Sequence, residues 1–225
     1  MIFELDKDSH LFPKAIMAEE DGLLAIGGDL STGRLLEAYK HGIFPWYSED
    51  TPILWYAPHE RFVLYPSQIK VSKSMAKLLA RNTFDISFNK DFGQVMQCCS
   101  TVSRRDQNGT WIVDDMLSAY KRLHDEGYAH SIEVWQSGDL VGGLYGVLVG
   151  KVFCGESMFS KVADSSKAAL IYLCQNFDLE LIDCQIYSSH LASMGATTVD
   201  ASFFYDKLKG QVIERNGLQK IFRYS

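Results

Sequence analysis

Several features that define whole classes of protein are missing from this sequence of 225 residues. Its longest apolar run, Leu140 to Gly150, contains four glycines and is too short to cross a bilayer, so no membrane span is predicted. The first ten residues mix charged and apolar side chains without a basic start and an apolar run after it. No secretory signal peptide is therefore predicted.

Cysteine and histidine are present, but not in the patterns that bind metals or build disulfide frameworks. The cysteines are odd in number and form no C-x-x-C pair; they are Cys98, Cys99, Cys154, Cys174 and Cys184. A reduced, cytoplasmic chain explains this set better than a disulfide scaffold does. The 6 histidines form neither H-x-H nor H-E-x-x-H, so we assign no metal and expect no cofactor.

Charge is distributed unevenly along a composition that is otherwise typical of a globular protein, with 47% hydrophobic residues and a net charge of −6. Between Arg61 and Phe84 there are five basic residues and no acidic one, which leaves −11 on the rest of the chain. Four of them follow a helical spacing: Lys70, Lys73, Lys77 and Arg81. This basic stretch is a candidate footprint for a polyanion, and a merely solvated helix surface is the alternative.

Hydrophobic spacing and capping residues predict an α+β fold. The predicted helices are Ser31 to Lys40, Ser72 to Arg81, Asp91 to Cys98, Asp114 to Leu123 and Ser165 to Asn176. The predicted strands are Phe84 to Phe88, His130 to Trp135, Leu140 to Val149, Lys151 to Gly155 and Glu180 to Ile186. The order β-β-β-α-β in the second half is not that of a doubly wound dinucleotide fold. A domain boundary is predicted near Glu60, which divides the chain into residues 1–60 and 61–225.

Motifs spread over most of the chain resemble the leucyl/phenylalanyl-tRNA–protein transferases, from about Asp21 to Ala196. They include Gly22-Leu-Leu-Ala-Ile-Gly-Gly-Asp-Leu30, Gly42-Ile-Phe-Pro-Trp46, Gly109-Thr-Trp-Ile112, Gly142-Gly-Leu-Tyr-Gly146, Phe153-Cys-Gly-Glu-Ser-Met-Phe-Ser160 and Leu181-Ile-Asp-Cys-Gln185. The resemblance implies a small N-terminal domain packed on an N-acetyltransferase-type domain, which is acyl-CoA N-acyltransferase-like. After Ala196 the chain reads Thr-Thr-Val-Asp, where the family usually has an apolar-Pro-Arg run.

The same resemblance implies a reaction and its partners. The α-amine of an acceptor protein would attack the ester of an aminoacyl-tRNA carrying Leu, Phe or Met. Acceptors would begin with Lys or Arg, and the product would be marked for degradation as an N-degron. We expect a cytoplasmic monomer that does not bind a membrane.

Three polar residues correspond to the catalytic residues of the family. Asp183 and Gln185 match its catalytic pair, and their spacing puts both side chains on one face of the predicted strand. A neutral amide is too weak a base to hold a proton. Gln185 is therefore expected to accept a hydrogen bond from the attacking amine, and Asp183 is expected to orient and polarise Gln185. Glu156 matches a carboxylate that faces the acceptor's amino group. From the residues alone, a hydrogen-bonded polar pair and a surface carboxylate are the alternatives.

The family also implies where the aminoacyl-tRNA binds. Trp46 and Trp111 match tryptophans that hold the terminal adenosine, and stacking on such a face contributes about 1–3 kcal/mol per base. The donor side chain would enter an apolar pocket of Leu144, Phe153, Met158, Leu170 and Phe177. Without the resemblance, these five would be taken as core residues. Trp55 and Trp135 are interpreted as packing residues.

Three other functions remain open from the sequence. A coenzyme-A-dependent N-acetyltransferase needs a Gly-rich turn before a helix, and Gly155 to Asp164 has no second glycine. A tRNA-binding protein without catalysis would share the basic stretch. A related transferase for acidic acceptor termini is disfavoured by the negative charge of Glu156.

Overall fold

The computed structural model describes residues 1–101 and 113–223. Its strands are β1 (Phe3–Leu5), β2 (Leu23–Gly27), β3 (Phe44–Pro45), β4 (Leu54–Tyr56), β5 (Glu60–Leu64), β6 (Asp85–Phe88), β7 (Ala129–Gln136), β8 (Asp139–Val149), β9 (Val152–Ser160), β10 (Leu181–Asp183) and β11 (Thr197–Asp200). Its helices are α1 (Thr32–Lys40), α2 (Lys73–Ala80), α3 (Phe92–Thr101), α4 (Asp114–Asp125), α5 (Ser165–Asn176), α6 (Ser189–Ser193), α7 (Ala201–Leu208) and α8 (Gly217–Lys220).

The strands form two sheets that follow one another along the chain. The first has the order β1-β2-β4-β3, and the second has the order β11-β5-β10-β9-β8-β7-β6. Among the described strands of the second sheet, only β9 and β10 pair in parallel, and α5 connects them, as a parallel pair requires a crossover. Their pairing ends at Asp183 and Cys154, whereas β9 continues to Ser160. The two strands therefore leave a gap beside the second half of β9.

Apolar side chains from both sheets share a core. One buried cluster contains Leu35 of α1 and Trp55 of β4 together with Tyr120 of α4 and Val147 of β8. A second cluster lies between α5 and the larger sheet. The change from one sheet to the other falls between Tyr56 and Glu60, close to the predicted boundary. The division into two domains stays a prediction, because a continuous core crosses it.

The elements with strong local signals agree with the sequence. The Ser31 hydroxyl accepts a hydrogen bond from the Arg34 backbone N–H, and the Ser72 hydroxyl accepts one from Met75, as expected of N-caps. The helix from Ser165 to Asn176 has the predicted bounds. The β-β-β-α-β order and the α+β class are confirmed.

Other predicted bounds were wrong. The strand expected from Glu180 to Ile186 ends at Asp183, because Gln185 has a φ of 64°, in the left-handed region that no strand residue adopts. The strand expected to end at Gly155 continues to Ser160. The residues after Ala196, for which no strand was predicted, form the edge strand β11, which pairs with β5.

The described residues contain neither a candidate membrane span nor a candidate metal cluster. Among the helices of residues 1–101 and 113–223, none is long and apolar enough to cross a membrane. Within those same ranges, no group of three His, Cys, Asp or Glu side chains is placed to hold a metal ion.

Candidate active site

A cavity of about 520 Å³ occupies the gap between β9 and the loop that follows β10. Its wall is completed by residues from β3, β8 and α5. Its lining includes both apolar and polar side chains: Trp46, Leu144, Tyr145, Phe153, Glu156, Met158, Leu170, Leu173, Ile182, Asp183, Cys184, Gln185, Tyr187 and His190. The cavity therefore joins an apolar surface to a small group of polar side chains.

Glu156 reaches this cavity from a β-bulge. Tyr145 pairs with Ser157 and Gly146 pairs with Gly155, so Glu156 is the extra residue of β9. A side chain at Gly146 would overlap the Cys154 carbonyl oxygen, so this position has to be glycine. The bulge turns the Glu156 side chain into the cavity, where it is 6% exposed.

The Glu156 carboxylate accepts hydrogen bonds at both oxygens. The Gln185 side-chain amide donates to Oε1 at 2.7 Å, and the Tyr120 hydroxyl donates to Oε2 at 3.1 Å. The Tyr39 hydroxyl is hydrogen-bonded to that of Tyr120. Burial raises the pKa of Glu156 to about 7, helped by the nearby charge of Asp183, although the hydrogen bonds favour its ionised form. This carboxyl group therefore titrates near neutral pH.

Asp183 is held by a buried ion pair with Arg61. The Arg61 Nε and Nη2 atoms donate to the two carboxylate oxygens at 2.8 and 2.7 Å. The guanidinium lies between the rings of Phe44 and Phe204, at 4.8 and 4.6 Å from their centroids. Arg61 is 2% exposed, so the expectation that it contributes to the basic surface was wrong. A buried cation needs a charge partner, and Asp183 supplies it.

The structure brings Asp183 and Gln185 together, though not through a shared strand face. The Asp183 carboxylate accepts a hydrogen bond from the backbone N–H of Gln185 at 2.9 Å, which holds the left-handed turn. In the described structure, no hydrogen bond joins Asp183 to the side-chain amide of Gln185. The Gln185 Nε2 atom is committed to Glu156. The amide oxygen of Gln185 is then the atom left to accept a hydrogen bond in the cavity.

Four of the five residues predicted for the donor pocket line the cavity: Leu144, Phe153, Met158 and Leu170. Leu173 and Ile182 extend the same apolar wall and were not predicted. Phe177 does not line the cavity, because its ring packs in an aromatic cluster instead. Its neighbours there are Phe88, Tyr172 and Phe222, with centroids 5.5, 6.2 and 5.2 Å away.

The tryptophans separate into different environments. Trp46 lines the cavity, is half-buried and packs against Tyr56 at 5.6 Å. Trp55 is fully buried and donates to the Gly27 carbonyl, as expected of a packing residue. Trp111 lies outside the described residues, so its predicted contact with adenosine stays a prediction. Tyr187, which is 68% exposed, lines the cavity from the loop after β10 and was not singled out by the sequence.

The four remaining basic residues are exposed on and beside α2: Lys70, Lys73, Lys77 and Arg81. None of them forms an ion pair with another residue of the described ranges. The Lys70 backbone N–H donates to the Met194 carbonyl at 2.8 Å, directly after α6. Residues of α6 line the cavity, so this contact ties the basic segment to the cavity wall.

Sequence reasoning missed four polar residues of the site. Arg61, Tyr39 and Tyr120 are buried around Asp183 and Glu156, and only the tertiary fold brings them there. His190 lines the cavity with its buried Nε2 atom unpartnered within the described structure. Burial lowers the pKa of His190, which favours its neutral form.

Comparison with known proteins gives consistent matches along the chain. Residues 63–209 match the family described as leucyl/phenylalanyl-tRNA protein transferase, and residues 28–59 match the N-terminal domain of that family. A protein of this name from Syntrophobacter fumaroxidans is 48% identical over 216 residues, which is 95% of this chain and 92% of that protein. One from Flavobacterium johnsoniae is 50% identical over 203 residues, covering 89% and 96%.

Similarity to one solved structure is weaker. A functionally unknown conserved protein from Staphylococcus epidermidis has a TM-score of 0.43 and 7% identity, covering 79% of this chain and 68% of that one. Such a score supports no conclusion about the fold. The family match covers most of the sequence, and the relatives match over nearly their full length. This chain belongs to the leucyl/phenylalanyl-tRNA protein transferase family.

Proposed function

We propose that this chain, which is an aminoacyltransferase by its family, moves Leu, and also Phe and Met, from aminoacyl-tRNA to the α-amine of proteins beginning with Lys or Arg. The observation that supports this most directly is one cavity that joins an apolar wall to Glu156 and Gln185. An apolar donor side chain fits the first part, and an amine nucleophile fits the second. The product would be an N-degron that marks its protein for degradation.

The donor end of the proposal rests on the apolar lining. Leu144 and Met158 are directly opposite on β8 and β9, and Phe153 and Leu170 belong to the same buried cluster. All four side chains are apolar and offer no strong hydrogen-bonding group to a ligand. The pocket would therefore select a donor side chain by its shape and apolar area. Trp46 would stack on the terminal adenosine, with Trp111 as its predicted partner.

The acceptor end of the proposal rests on the charge of Glu156 and on the side-chain amide oxygen of Gln185. Glu156 in its ionised form would attract an N-terminal ammonium and a basic first side chain. The Gln185 amide oxygen would accept a hydrogen bond from the attacking amine. An aminoacyl ester is already reactive, so holding the amine against its carbonyl carbon supplies much of the acceleration.

Three broader properties belong to the same proposal. The larger part of the chain would have the N-acetyltransferase-type fold, which is supported by a parallel β9–β10 pair connected through α5 in a mainly antiparallel sheet. We also propose that the protein acts as a monomer in the cytoplasm. The exposed basic face of α2, with Lys73, Lys77 and Arg81, would contact the tRNA backbone.

One assay tests the function directly. Radiolabelled Leu-tRNA is incubated with peptides that begin with Arg, Lys, Asp or Ala, and the peptide that gains label is identified. We expect label on the Arg and Lys peptides alone. Label on the Asp peptide would indicate a transferase for acidic termini, and tRNA binding without any transfer would indicate a binding protein. Tight binding of coenzyme A would favour an acetyltransferase instead.

The Gln185→Ala variant tests the site within the same assay. Loss of the amide oxygen and of the contact with Glu156 should lower transfer by about two orders of magnitude or more, a typical effect of a group that positions a reacting atom. Binding of tRNA should be retained, because α2 is untouched. Near-normal turnover would show that this amide does not position the amine.

A further inference from the structure

The buried neighbours of Glu156 are arranged to stabilise one protonation state. The proton of the Tyr120 hydroxyl is donated to Glu156 Oε2, so the hydroxyl of Tyr39 must donate to Tyr120. Burial, together with the charge of Glu156, raises the pKa of both phenols, which keeps them protonated as donors. With the Gln185 amide on Oε1, the donors around this carboxylate all favour the anion.

The acceptor substrate brings the opposite requirement. An N-terminal α-amine has a pKa of about 7.7–8.0, so most of it is an ammonium ion at neutral pH. An ammonium has no lone pair and cannot attack an ester. A proton must therefore leave the nitrogen before the new bond forms, and Gln185 cannot hold it because an amide is too weak a base.

We propose that Glu156 is the catalytic base that takes this proton, and that Tyr39 and Tyr120 are positioning residues that hold it as the anion. This rests on the proposed function and adds a step to it. Glu156 lines the cavity and carries a hydrogen-bond donor at each oxygen, and each oxygen keeps a further lone pair for the ammonium. Glu156 thus does more than attract the acceptor.

The step balances in atoms and charge. The carboxylate of Glu156 takes one proton from the α-ammonium and becomes a neutral acid, which leaves a free amine. The amine nitrogen attacks the ester carbonyl carbon, and the C–O bond to the ribose then breaks. The ribose oxygen leaves with the second nitrogen proton, which gives an amide and a free hydroxyl. Glu156 returns its proton to water after the product departs.

The hydroxyl chain can follow the change in protonation. When Glu156 is neutral, its acid proton at Oε2 can be donated to Tyr120, and Tyr120 can donate to Tyr39 in turn. Asp183 and Cys154 interact electrostatically with Glu156. The titratable side chains of Tyr145, Cys184, Tyr187 and His190 line the same cavity. Arg61 pairs with both carboxylate oxygens of Asp183, whereas the hydrogen-bond donors on Glu156 in the described structure are the neutral groups of Gln185 and Tyr120.

The pH dependence of transfer tests the proposal. Initial rates with an Arg-peptide and Leu-tRNA are measured between about pH 5.5 and pH 9, with spontaneous ester hydrolysis subtracted. For the wild type, kcat/KM should rise as Glu156 ionises, with an apparent pKa near 7. The Tyr120→Phe and Tyr39→Phe variants remove donors that stabilise the anion, so this rise should move to higher pH in both. Tyr172→Phe, which removes a hydroxyl outside the cavity, should not move it.

Glu156→Gln separates a base from a group that merely attracts the acceptor. A glutamine cannot take the proton, so kcat near pH 6.5 should fall by about two orders of magnitude or more. Near pH 9 the acceptor is already a free amine, and the gap to the wild type should shrink to about tenfold or less. If Glu156 only attracted the ammonium, the loss would appear in the acceptor KM, and kcat at saturating peptide near pH 6.5 would stay close to that of the wild type.

Two results would overturn the proposal while leaving the function intact. One is a wild-type profile whose rise is unchanged in Tyr120→Phe although the variant unfolds at the same temperature. The other is a Glu156→Gln loss that is constant across the pH range. Failure of the wild-type protein to transfer label at any pH would instead refute the proposed function.

Discussion

Arg61 and Asp183 show how a single ion pair can organise the polar end of the cavity. The pair is fully buried and bidentate, and Asp183 also fixes the left-handed backbone of Gln185. A non-glycine residue in this conformation costs about 1–3 kcal/mol, which the surrounding contacts have to offset. Because Gln185 in turn donates to Glu156, the orientation of the amide depends on a chain of contacts that begins at Arg61.

Removing one partner of this ion pair should destabilise the protein strongly, because the other charge is then buried without a partner. Arg61→Met or Asp183→Asn removes one partner, and each should destabilise the protein by about 3–5 kcal/mol. The double variant should lose less than the sum of the two, because it leaves no uncompensated buried charge. Urea unfolding of all four proteins measures this coupling, and strictly additive losses would show that the pair does not act as a unit. An activity loss in Asp183→Asn alone is therefore not a clean measure of catalysis.

The sequence could identify Glu156, Asp183 and Gln185 only through the resemblance, and it could not assign their contacts. Arg61 lies at the start of a basic stretch, and nothing local distinguishes it from Lys73 or Lys77, which are exposed. The pattern of a strand was extended through Gln185 because alternation does not reveal a left-handed turn. That turn depends on the carboxylate of Asp183, which is itself fixed by a residue 122 positions away.

Secondary-structure elements with local signals were predictable, and those defined by pairing were not. Ser31 and Ser72 mark helix starts because their hydroxyls satisfy free backbone N–H groups. The bulge at Glu156 arises from pairing between β8 and β9, and its register is set by close packing at Gly146. The strands of the first sheet are only two to five residues long, which is too short for an alternating pattern to identify most of them.

The basic face of α2 gives a prediction about salt. If Lys73, Lys77 and Arg81 contact phosphates, each should contribute about −0.7 to −0.9 to the slope of log affinity against log salt. Changing all three to Glu should weaken binding of full-length tRNA and flatten this slope. A minimal aminoacyl-adenosine donor lacks helical phosphates, so its transfer should change little.

A matched variant controls for the change in overall charge. Lys14, Lys121 and Lys209 are exposed elsewhere on the molecule, and changing them to Glu alters the net charge by the same amount. This variant should keep the wild-type slope. Equal weakening by both triple variants would mean that the tRNA responds to net charge, and equal loss on both donors would mean that α2 matters for folding.

The apolar wall formed by β8, β9 and α5 predicts which amino acids are transferred. Leu, Phe and Met are unbranched at Cβ, whereas Ile and Val carry two heavy atoms there and have stiff χ1 angles. A pocket without polar groups selects by shape, and one methylene group changes binding by about 1–3 kcal/mol. Leu, Phe and Met should therefore be transferred, with Ile and Val strongly disfavoured.

Initial rates with the five amino acids charged on one tRNA body test this selectivity, because tRNA identity is then constant. Met158 is only partly buried in the wall, so Met158→Ala should enlarge the pocket. The variant should transfer Leu more slowly and narrow the gap between Leu and Ile. Equal rates for Leu and Ile in the wild type would show that the tRNA, and not this pocket, determines which amino acid is transferred.

Considered as a whole, the molecule builds its site from both sheets. Phe44 covers the Arg61 guanidinium, Tyr39 reaches Tyr120, and Trp46 lines the cavity, although all three precede the predicted boundary near Glu60. Length and composition indicated one medium domain or a large one with an annex. They could not show that the smaller part supplies side chains to the site, since this depends on how the two sheets pack.

The continuous core predicts that the two parts unfold together. Leu35 of α1 is fully buried in the cluster that also contains Tyr120 and Val147. Leu35→Ala should therefore destabilise the whole chain by about 2–5 kcal/mol, and not only its first 60 residues.

Two probes report on the unfolding of the two parts separately. Fluorescence of the buried Trp55, recorded with the other three tryptophans changed to Phe, follows the first sheet. Reaction of the buried cysteine thiols, which all lie in residues 61–225, follows the second. Both transitions should move by the same amount in urea. A shift of the Trp55 transition that left the thiols protected would show two independent domains, and residues 61–225 should then fold and bind tRNA alone.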